Sequence, residues 1–515
     1  MEMSAIREAS KRMRAYPYGV KKRLALGLAL AVLAALLSGC GAAGPIDEGF
    51  WQQPSRHSYR AELSLDESTK AVSGRMTVTY TNPTGQALAT LPFMLYPNAY
   101  AQVQTAPFDN GEMGKAYPGG FSEGGIVLTE ITAGGQPVQT RLKNDDETLL
   151  EIDLPQPLPA DGTAEISFAF TVQLPHCLGR FGYGDSAYNL CNFLPVACAW
   201  DGTQFLSHPY GAVGDPFVSD AGDYSVALSV PEGMTAAYTG VAEKEPVTQN
   251  GRTTYYIKAA HARDFAAVVS RDFAVETTHV NSGGQRVTVR SFYDADCPEG
   301  GRLAANTAKR ALEAFGDMYG PYPFGEFNAV QTDFFIGGME YPGLVLLDTS
   351  LYTGQGLADL ERVTAHETAH QWWYAAVGND QATEPWLDEA LTDYSTLLYM
   401  GRAHGEQAEQ AYYDTYVSML SEVMGPMYNR ASYHVTVGSP AFDFPNNQVY
   451  SLVVYTEGTM MLRDVENLIG REAMVRGLSA YYHKYAGKLA TGENLIQTLE
   501  ESSGQNVRMV FDECL

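Results

Sequence analysis

The sequence predicts an α+β multidomain protein in which an N-terminal part of β-strands precedes a mainly helical part. The chain has 515 residues, which is enough for more than one domain with a packed core. Apolar residues make up 45% of the chain and aromatic residues 11%, so a disordered chain is excluded. The apolar pattern also changes along the sequence, from partial alternation before about residue 280 to a helical period after about residue 300.

The predicted strands lie in the first half of the chain. Their apolar residues alternate in part, they are rich in β-branched and aromatic residues, and Pro, Gly and Asn separate them. Short strands at such spacing indicate an antiparallel sheet assembly. The clearest of these segments are 58–65, 72–81, 164–174 and 224–230.

The second half of the chain has the 3.6-residue period of amphipathic helices. The segment 281–284, Asn-Ser-Gly-Gly, predicts a linker or a hairpin turn, and we place the boundary between two domains there, at 56–280 and 281–515. The predicted helices are 303–318, 360–377, 386–400, 407–424, 451–468 and 472–485.

Residues 1–39 have the order of a secretory signal peptide. Three basic residues at 21–23 precede an unbroken apolar run at 24–37, which is too short to stay as a membrane-spanning helix. The ending Leu-Ser-Gly-Cys at 37–40 resembles a bacterial lipobox, which implies cleavage before Cys40 and a lipid on its sulfur. We therefore expect a lipoprotein anchored on the extracytoplasmic face of the cell membrane, with 40–55 as a tether. An ordinary signal peptide with an incidental Cys40 is the alternative.

Charge and cysteine content narrow the possible partners. With 34 basic and 60 acidic residues the formal net charge is −26, which repels phosphate backbones, so nucleic acid is not an expected partner. No C-x-x-C pair occurs, so a cysteine metal site is not expected. Cys191 and Cys198 could form a disulfide in an exported protein, and the sequence leaves one disulfide or none open.

A metal site is predicted in the helix at 360–377, which contains H-E-x-x-H at 366–370. His366 and His370 lie four residues apart on one helix face, so both imidazoles can reach one cation, and Glu367 then lies beside a water on that cation. Glu389 follows after eighteen intervening residues, at the start of another predicted helix, as a third ligand. Two His and one Glu leave a position open for water, as in catalytic zinc sites with one ion. Asp393 could accept the free N–H of a liganding imidazole.

This arrangement, with Glu389 in a W-L-x-E context, resembles the gluzincin zinc aminopeptidases related to aminopeptidase N. The segments 319–324 and 214–217 are also similar to parts of that family. The resemblance implies an N-terminal antiparallel β saddle domain followed by a thermolysin-like, mainly helical catalytic domain with a small β-sheet. It also implies zinc-dependent hydrolysis of the N-terminal bond of peptides with a free N-terminus. Because the sequence stops shortly after helices that resemble the end of the catalytic domain, we expect a member without the large C-terminal helical domain.

The same resemblance implies roles for two further segments. Gly337, Gly338, Met339 and Glu340 are similar to the substrate-binding G-x-M-E-N motif, in which the Glu binds the substrate α-amine, although Tyr341 stands where the family has Asn.

The segment 455–458 is similar to Y-x-K-G, whose Tyr hydroxyl stabilises the oxyanion, with Glu457 in place of the Lys. Tyr455 is therefore the predicted oxyanion donor and Glu367 the predicted general base. Tyr450 is a rival for the role of Tyr455.

Three other functions stay open at this stage. An endopeptidase or an epoxide hydrolase could use the same fold, and a surface lipoprotein could bind peptides without catalysis. A requirement for a free amine distinguishes an aminopeptidase from an endopeptidase. Glu367 beside an open metal position argues against a pure binding protein, because binding needs no general base.

Overall fold

The computed structural model describes residues 55–420 and 434–515. All described residues belong to one compact unit, Asp47–Leu515. The predicted signal peptide, Cys40 and the tether before residue 55 lie outside the described residues. Among those that are described, no helix is both long and apolar enough to cross a membrane.

The N-terminal region is built around an eight-stranded sheet. All four predicted strands are found in it, as His57–Asp66, Ala71–Thr81, Thr163–Gln173 and Gly222–Pro231. Most neighbours are antiparallel as expected, but the interior pair of His57–Asp66 with Gly222–Pro231 is parallel. Sheet order is not visible in local alternation, so this exception could not be predicted. The other strands of the sheet are Gly125–Ala133, Gln136–Pro137, Val241–Gln249 and Arg252–Ala262.

Two four-stranded sheets complete this region. Alternate residues of the strands point into a shared core; in the first strand these are Tyr59, Ala61, Leu63 and Leu65. One small sheet contains Phe181–Tyr183, Ala187–Leu190, Thr235–Tyr238 and Ala267–Ser270, and the other Leu88–Met94, Thr140–Lys143, Leu149–Leu158 and Val196–Ala197.

The C-terminal region begins with a five-stranded sheet. Its first two strands form a hairpin whose turn uses Gly283 and Gly284 at φ of 59° and 90°, which favour glycine, so the predicted turn at 281–284 is a hairpin turn. The boundary that we placed at 280 falls inside this hairpin, and sheet membership starts the second region at Phe273. The sheet order is Phe273–Ser282, Gln285–Asp294, Glu326–Thr332, Leu344–Asp348 and Gly338–Met339, with the last strand at an edge.

Helices dominate the rest of the chain. The predicted helix 360–377 ends eight residues early at Ala369, because the chain turns sharply after His370 and the amide of Ala375 bonds to the carbonyl of His370. The predicted helix 451–468 begins as a π-helix, Ser451–Glu457. The segment 407–424 is helical over Glu406–Ser418, and 421–424 lie outside the described residues. The longer described helices are Pro298–Tyr319, Leu357–Ala369, Trp386–His404, Glu406–Ser418, Gly458–Ile469, Arg471–Tyr485, Gly492–Ser503 and Arg508–Cys514.

Two of these helices position the predicted metal ligands. We call Leu357–Ala369, with His370 as its C-cap, the motif helix, and Trp386–His404 the glutamate helix. They pack against each other and against Pro298–Tyr319. Almost every residue of the glutamate helix is buried up to Tyr399, so packing on several sides holds its first turn in place.

Candidate active site

The three predicted metal ligands converge in the structure. His366 and His370 project from consecutive turns of the motif helix, and Glu389 from the first turn of the glutamate helix. The two Nε2 atoms are 3.2 Å apart, and Oε2 of Glu389 lies 3.4 Å from that of His366 and 3.3 Å from that of His370. A tetrahedral zinc site with bonds of about 2.0–2.1 Å has ligand atoms about 3.3–3.4 Å apart. The spacing therefore fits a zinc-sized cation.

Hydrogen bonds on the other ring nitrogens set the state of both imidazoles. Nδ1 of His366 is 2.8 Å from Oδ1 of Asp393, and Nδ1 of His370 is 3.0 Å from the carbonyl oxygen of Trp373. Since both partners accept, each Nδ1 carries a proton, and each Nε2 presents a lone pair once a cation takes the place of its own proton. Two lone pairs then face a buried carboxylate oxygen that has no hydrogen-bond partner. A cation is the group that satisfies this arrangement.

Glu367 lies beside the three ligands with its carboxylate in the same cavity. Gly338 makes room for it, because a Cβ at that position would lie 2.0 Å from Oε1 of Glu367. Oε2 of Glu367 is buried without a partner, so it is available to a water or a substrate group. The predicted general base and the predicted substrate-binding glycine thus meet in one contact.

Three carboxylates converge next to the metal ligands. Oxygen atoms of Asp215, Glu340 and Glu389 all lie within 4.8 Å of one another. Glu340 is fixed by Gln381, whose Nε2 donates to Oε1 at 3.1 Å. Asp215 is fixed by an ion pair with Arg180. Gln381 is neutral and Arg180 carries one positive charge, so these partners do not balance the negative charge of the three carboxylates. The group therefore suits a positively charged ligand.

Sequence reasoning missed Asp215, Arg180 and Gln381. The segment 214–217 was noted for its family resemblance, but nothing in its local pattern indicated an active-site carboxylate. Asp215 and Arg180 come from the N-terminal region, and they reach the site only through tertiary packing. For Gln381, an ordinary polar residue between two motifs, the sequence offers no signal.

The segment 337–340 borders the site as predicted. Gly338–Met339 is the edge strand of the five-stranded sheet and pairs on one side with Leu346 and Leu347. Gly337, Gly338 and Met339 line the cavity. An edge strand beside a cavity can hydrogen-bond an extended peptide.

Tyr341, which replaces the family's Asn, points elsewhere: its hydroxyl donates to Oδ1 of Asn192 at 2.5 Å, and the residue is fully buried. Its phenol therefore joins the two regions of the molecule and does not line the cavity.

Tyr455 lines the cavity, and its ring is stacked on that of His366 with centroids 6.0 Å apart. Burial raises the pKa of Tyr455 well above its usual value, and the charge of Glu389 adds to this, so the phenol stays a donor. Tyr450 packs edge-on behind Tyr455 at 5.9 Å, close to Gly214. The geometry thus favours Tyr455 over its rival, although the catalytic role stays a prediction.

Burial and charge shift the acidic groups in different directions. Burial raises the pKa of Glu367 to about 8, against the opposing charges of His366 and His370. Burial likewise raises the pKa of Glu340 to about 7, although the charge of His370 acts to lower it. For Glu389 burial acts in the same direction, but the two imidazoles hold its pKa well below the usual range. A bound dication would lower all three values by direct attraction.

The net charge of the groups that line the cavity matches the charge of the ligands that we expect there. The cavity has a volume of about 210 Å³ and is lined by five carboxylates and two guanidinium groups, those of Arg180 and Arg362, besides the two imidazoles. With all five carboxylates ionised and both imidazoles neutral, the lining has an excess of three negative charges, which is the charge of one dication and one ammonium group. The arrangement can therefore hold a metal ion and a cationic group of a substrate side by side. The carboxylates are those of Asp215, Glu340, Glu367, Glu389 and Asp393.

Comparison with known proteins supports a peptidase domain in the C-terminal region. Residues 303–514 match the family described as Peptidase family M1 domain. Mitochondrial aminopeptidase 2 of Saccharomyces cerevisiae is 28% identical over 247 residues, which cover 46% of this chain and 26% of that protein. Aminopeptidase N of Lactobacillus delbrueckii subsp. lactis is 29% identical over 252 residues, covering 45% and 28%. The chain thus matches little more than a quarter of the length of these relatives.

Solved structures support the fold of the whole described chain. The M1 zinc metallopeptidase of Deinococcus radiodurans has a TM-score of 0.63 at 19% identity and covers 90% of this chain and 93% of its own. A mutant of that enzyme, solved with a Tyr-Ser-Ala substrate, has a TM-score of 0.64 at 18% identity and covers 89% and 92%. These structures confirm the predicted α+β architecture, and the family match over residues 303–514 confirms the gluzincin resemblance.

Proposed function

Starting from the match of residues 303–514 to the Peptidase family M1 domain, we propose that this protein is a zinc aminopeptidase that removes the N-terminal residue of peptides. The observation that carries the proposal is the convergence of Asp215, Glu340 and Glu389 within 4.8 Å at one side of the metal ligands. A protonated α-amine bound there lies one residue from the bond to be cleaved. An endopeptidase has no use for a buried acidic cluster at that place, because the chain of its substrate continues through it.

The residues of the chain divide the chemistry among them. His366, His370 and Glu389 would hold zinc, which when bound acts as a Lewis acid and makes water more acidic. Glu367 takes the proton of the attacking water and delivers it to the leaving amine as the C–N bond breaks. The Tyr455 hydroxyl donates to the carbonyl oxygen as that atom gains negative charge.

Binding and orientation depend on a second set of residues. Glu340 and Asp215 accept charge-assisted hydrogen bonds from the α-ammonium group, and Gln381 and Arg180 keep these carboxylates in place. The edge strand Gly338–Met339 aligns the backbone of the peptide. Together they place the first peptide bond next to Glu367 and exclude substrates with a longer N-terminal extension. The tripeptide substrate bound to a structural neighbour supports short peptides as the substrate class.

A pair of matched substrates tests the proposal. We expect the purified protein to hydrolyse alanine p-nitroanilide and to leave N-acetylalanine p-nitroanilide intact, because acetylation removes the positive charge that Glu340 and Asp215 bind. Chelation should stop the reaction and added zinc should restore it. Cleavage of the acetylated substrate alone would identify an endopeptidase, and metal uptake without turnover of either substrate would favour a peptide-binding protein.

We further propose that the enzyme is anchored to the extracytoplasmic face of the membrane by a lipid on Cys40. The support is the sequence Leu-Ser-Gly-Cys at 37–40 after a basic and then an apolar segment. Radiolabelled palmitate should mark the wild type but not Cys40→Ala, and the variant should leave the membrane fraction. Equal labelling of both proteins would reject the anchor, and so would the absence of label from the wild type.

A further inference from the structure

The cavity has two distinct ends along the motif helix. Glu340 lies at the end near His370, since ligand atoms of these two residues approach within 4.8 Å together with Asp388. Asp393 lies at the end near His366, to which it is hydrogen-bonded. A peptide whose amine is bound at Glu340 therefore runs past the metal ligands from the His370 end toward the His366 end.

Arg362 lines the cavity beyond His366. It precedes His366 by four residues, as His366 precedes His370, so the three side chains follow one face of the motif helix. Each such step is about 6 Å along the helix axis, so the backbone of Arg362 lies about 12 Å from that of His370. Di- and tripeptides span about 7–11 Å when extended. Arg362 thus lies where the far end of a short peptide would reach.

The two cavity-lining guanidinium groups differ in their partners. Arg180 is held by Asp215, and its side chain is 11% exposed. Arg362 is 39% exposed, and its Nε is 3.6 Å from Oδ1 of Asp359, a side chain that is itself 62% exposed and therefore binds weakly. Its guanidinium also interacts with the Tyr412 hydroxyl and with the charge of Asp393. A substrate carboxylate in the cavity could offer Arg362 a better partner with two parallel hydrogen bonds.

We propose that Arg362 binds the C-terminal carboxylate of short peptide substrates and so makes the enzyme selective for di- and tripeptides with a free C-terminus. This inference rests on the proposed function, because the amine at Glu340 sets the direction of the bound peptide. Carboxylates of the protein bind the ammonium group at one end of the cavity, and the Arg362 guanidinium binds the peptide carboxylate at the other end. The distance between these two ends then selects the length of the peptide. The alternative is a purely structural role, in which Arg362 supports Asp393 and thereby His366.

Steady-state kinetics with trialanine, trialanine amide and alanine p-nitroanilide separate these roles. In Arg362→Gln we expect KM for trialanine to rise about tenfold, with kcat little changed, because a charge-assisted hydrogen bond is lost. Values for the amide and the anilide, which lack the carboxylate, should stay within about twofold of wild type. Arg362→Lys should recover part of the affinity for trialanine. Arg402→Gln, which removes a surface arginine paired with Asp317, is the matched control and should change none of these values.

Binding measurements test the same point without turnover. In the Glu367→Gln background, calorimetry should show trialanine binding about tenfold more tightly than its amide, and Arg362→Gln should abolish the difference. Equal affinity for acid and amide would overturn the proposal. A uniform fall of kcat on all three substrates, together with a loss of zinc, would overturn it in favour of the structural role. Failure of the wild type to cleave the anilide would refute the proposed function, while calorimetry would still decide the role of Arg362.

Discussion

The predicted metal ligands and the carboxylates proposed to bind the substrate amine are assembled in different ways. His366, His370 and Glu389 come from two consecutive helices of the C-terminal region. Asp215 and Glu340 come from a loop of the N-terminal region and from the end of an edge strand. Local helix geometry thus specifies the metal end of the cavity, whereas the amine end depends on how the two regions pack. Under the proposed function, local geometry therefore places the residues for bond cleavage, and the tertiary fold places those for substrate recognition.

The largest effect should come from a change at the metal end. Glu367→Gln keeps the size of the side chain but removes the proton acceptor, so kcat should fall by about 10²–10⁴ while zinc content stays at one ion per chain. Glu472→Gln, at a side chain that is 96% exposed, is the control. If Glu367→Gln retained wild-type turnover with its zinc bound, the base would have to be another residue.

The next effect concerns the donor to the oxyanion. Tyr455→Phe should lower kcat by about 10²–10³, because the phenol donates only as the carbonyl oxygen becomes negative. Tyr450→Phe should keep most of the activity, since Tyr450 packs behind Tyr455 and does not line the cavity. The opposite pattern in the two variants would transfer the role to Tyr450.

A smaller effect is expected at the amine end. Asp215→Asn removes one of the two carboxylates at this end, so KM for alanine p-nitroanilide should rise about tenfold or more, with a smaller change in kcat. Asp272→Asn, at an exposed residue of the N-terminal region, is the control. Thermal unfolding of both variants shows whether they are folded. An unchanged KM for Asp215→Asn would mean that the N-terminal region takes no part in binding the amine.

The smallest effect concerns the contact between the two regions. Burial raises the pKa of Asp264 to about 7, and its carboxylate accepts from Asn192, which in turn accepts from Tyr341. Between about pH 4 and pH 7 the folded state therefore binds more protons at Asp264 than the unfolded state, so stability from this group falls as pH rises.

The contribution is at most about 1.4 kcal/mol per pH unit. In Asp264→Asn the free energy of unfolding should change less with pH than in the wild type. This smaller slope is expected whether the variant is more or less stable than the wild type. Denaturant unfolding at pH 5, 6 and 7 measures it. Parallel pH profiles for wild type and variant would exclude this titration.

The sequence was informative where short-range geometry decides the structure. The spacing of His366 and His370 on a helix, and of Glu389 at the start of the next one, predicted that these three side chains converge, and the apolar period located most helices. The early end of the motif helix at Ala369 was not predictable, because the chain turns there through contacts with residues far along the sequence. The strands Glu326–Thr332 and Leu344–Asp348 were missed, since both are short and almost wholly buried, without alternation.

The amine end shows the limit of such reasoning most clearly. Glu340 could be proposed from a motif, but its neighbour Asp215 lies 125 positions earlier and meets it only in the folded protein. The sequence also did not show what Tyr341 does in place of the family's Asn. In the structure the Tyr341 hydroxyl donates a hydrogen bond to Asn192 and so connects the two regions.

Metal stoichiometry tests the central claim most directly. Wild-type protein, Glu389→Ala and the control Glu472→Gln should be purified, loaded with zinc, desalted and analysed for zinc per chain by mass spectrometry alongside turnover of alanine p-nitroanilide. We predict one zinc ion per chain and full activity for the wild type and the control, and neither bound zinc nor activity for a folded Glu389→Ala. A folded wild type that binds no zinc, or a Glu389→Ala variant that keeps both its ion and its activity, would contradict the account.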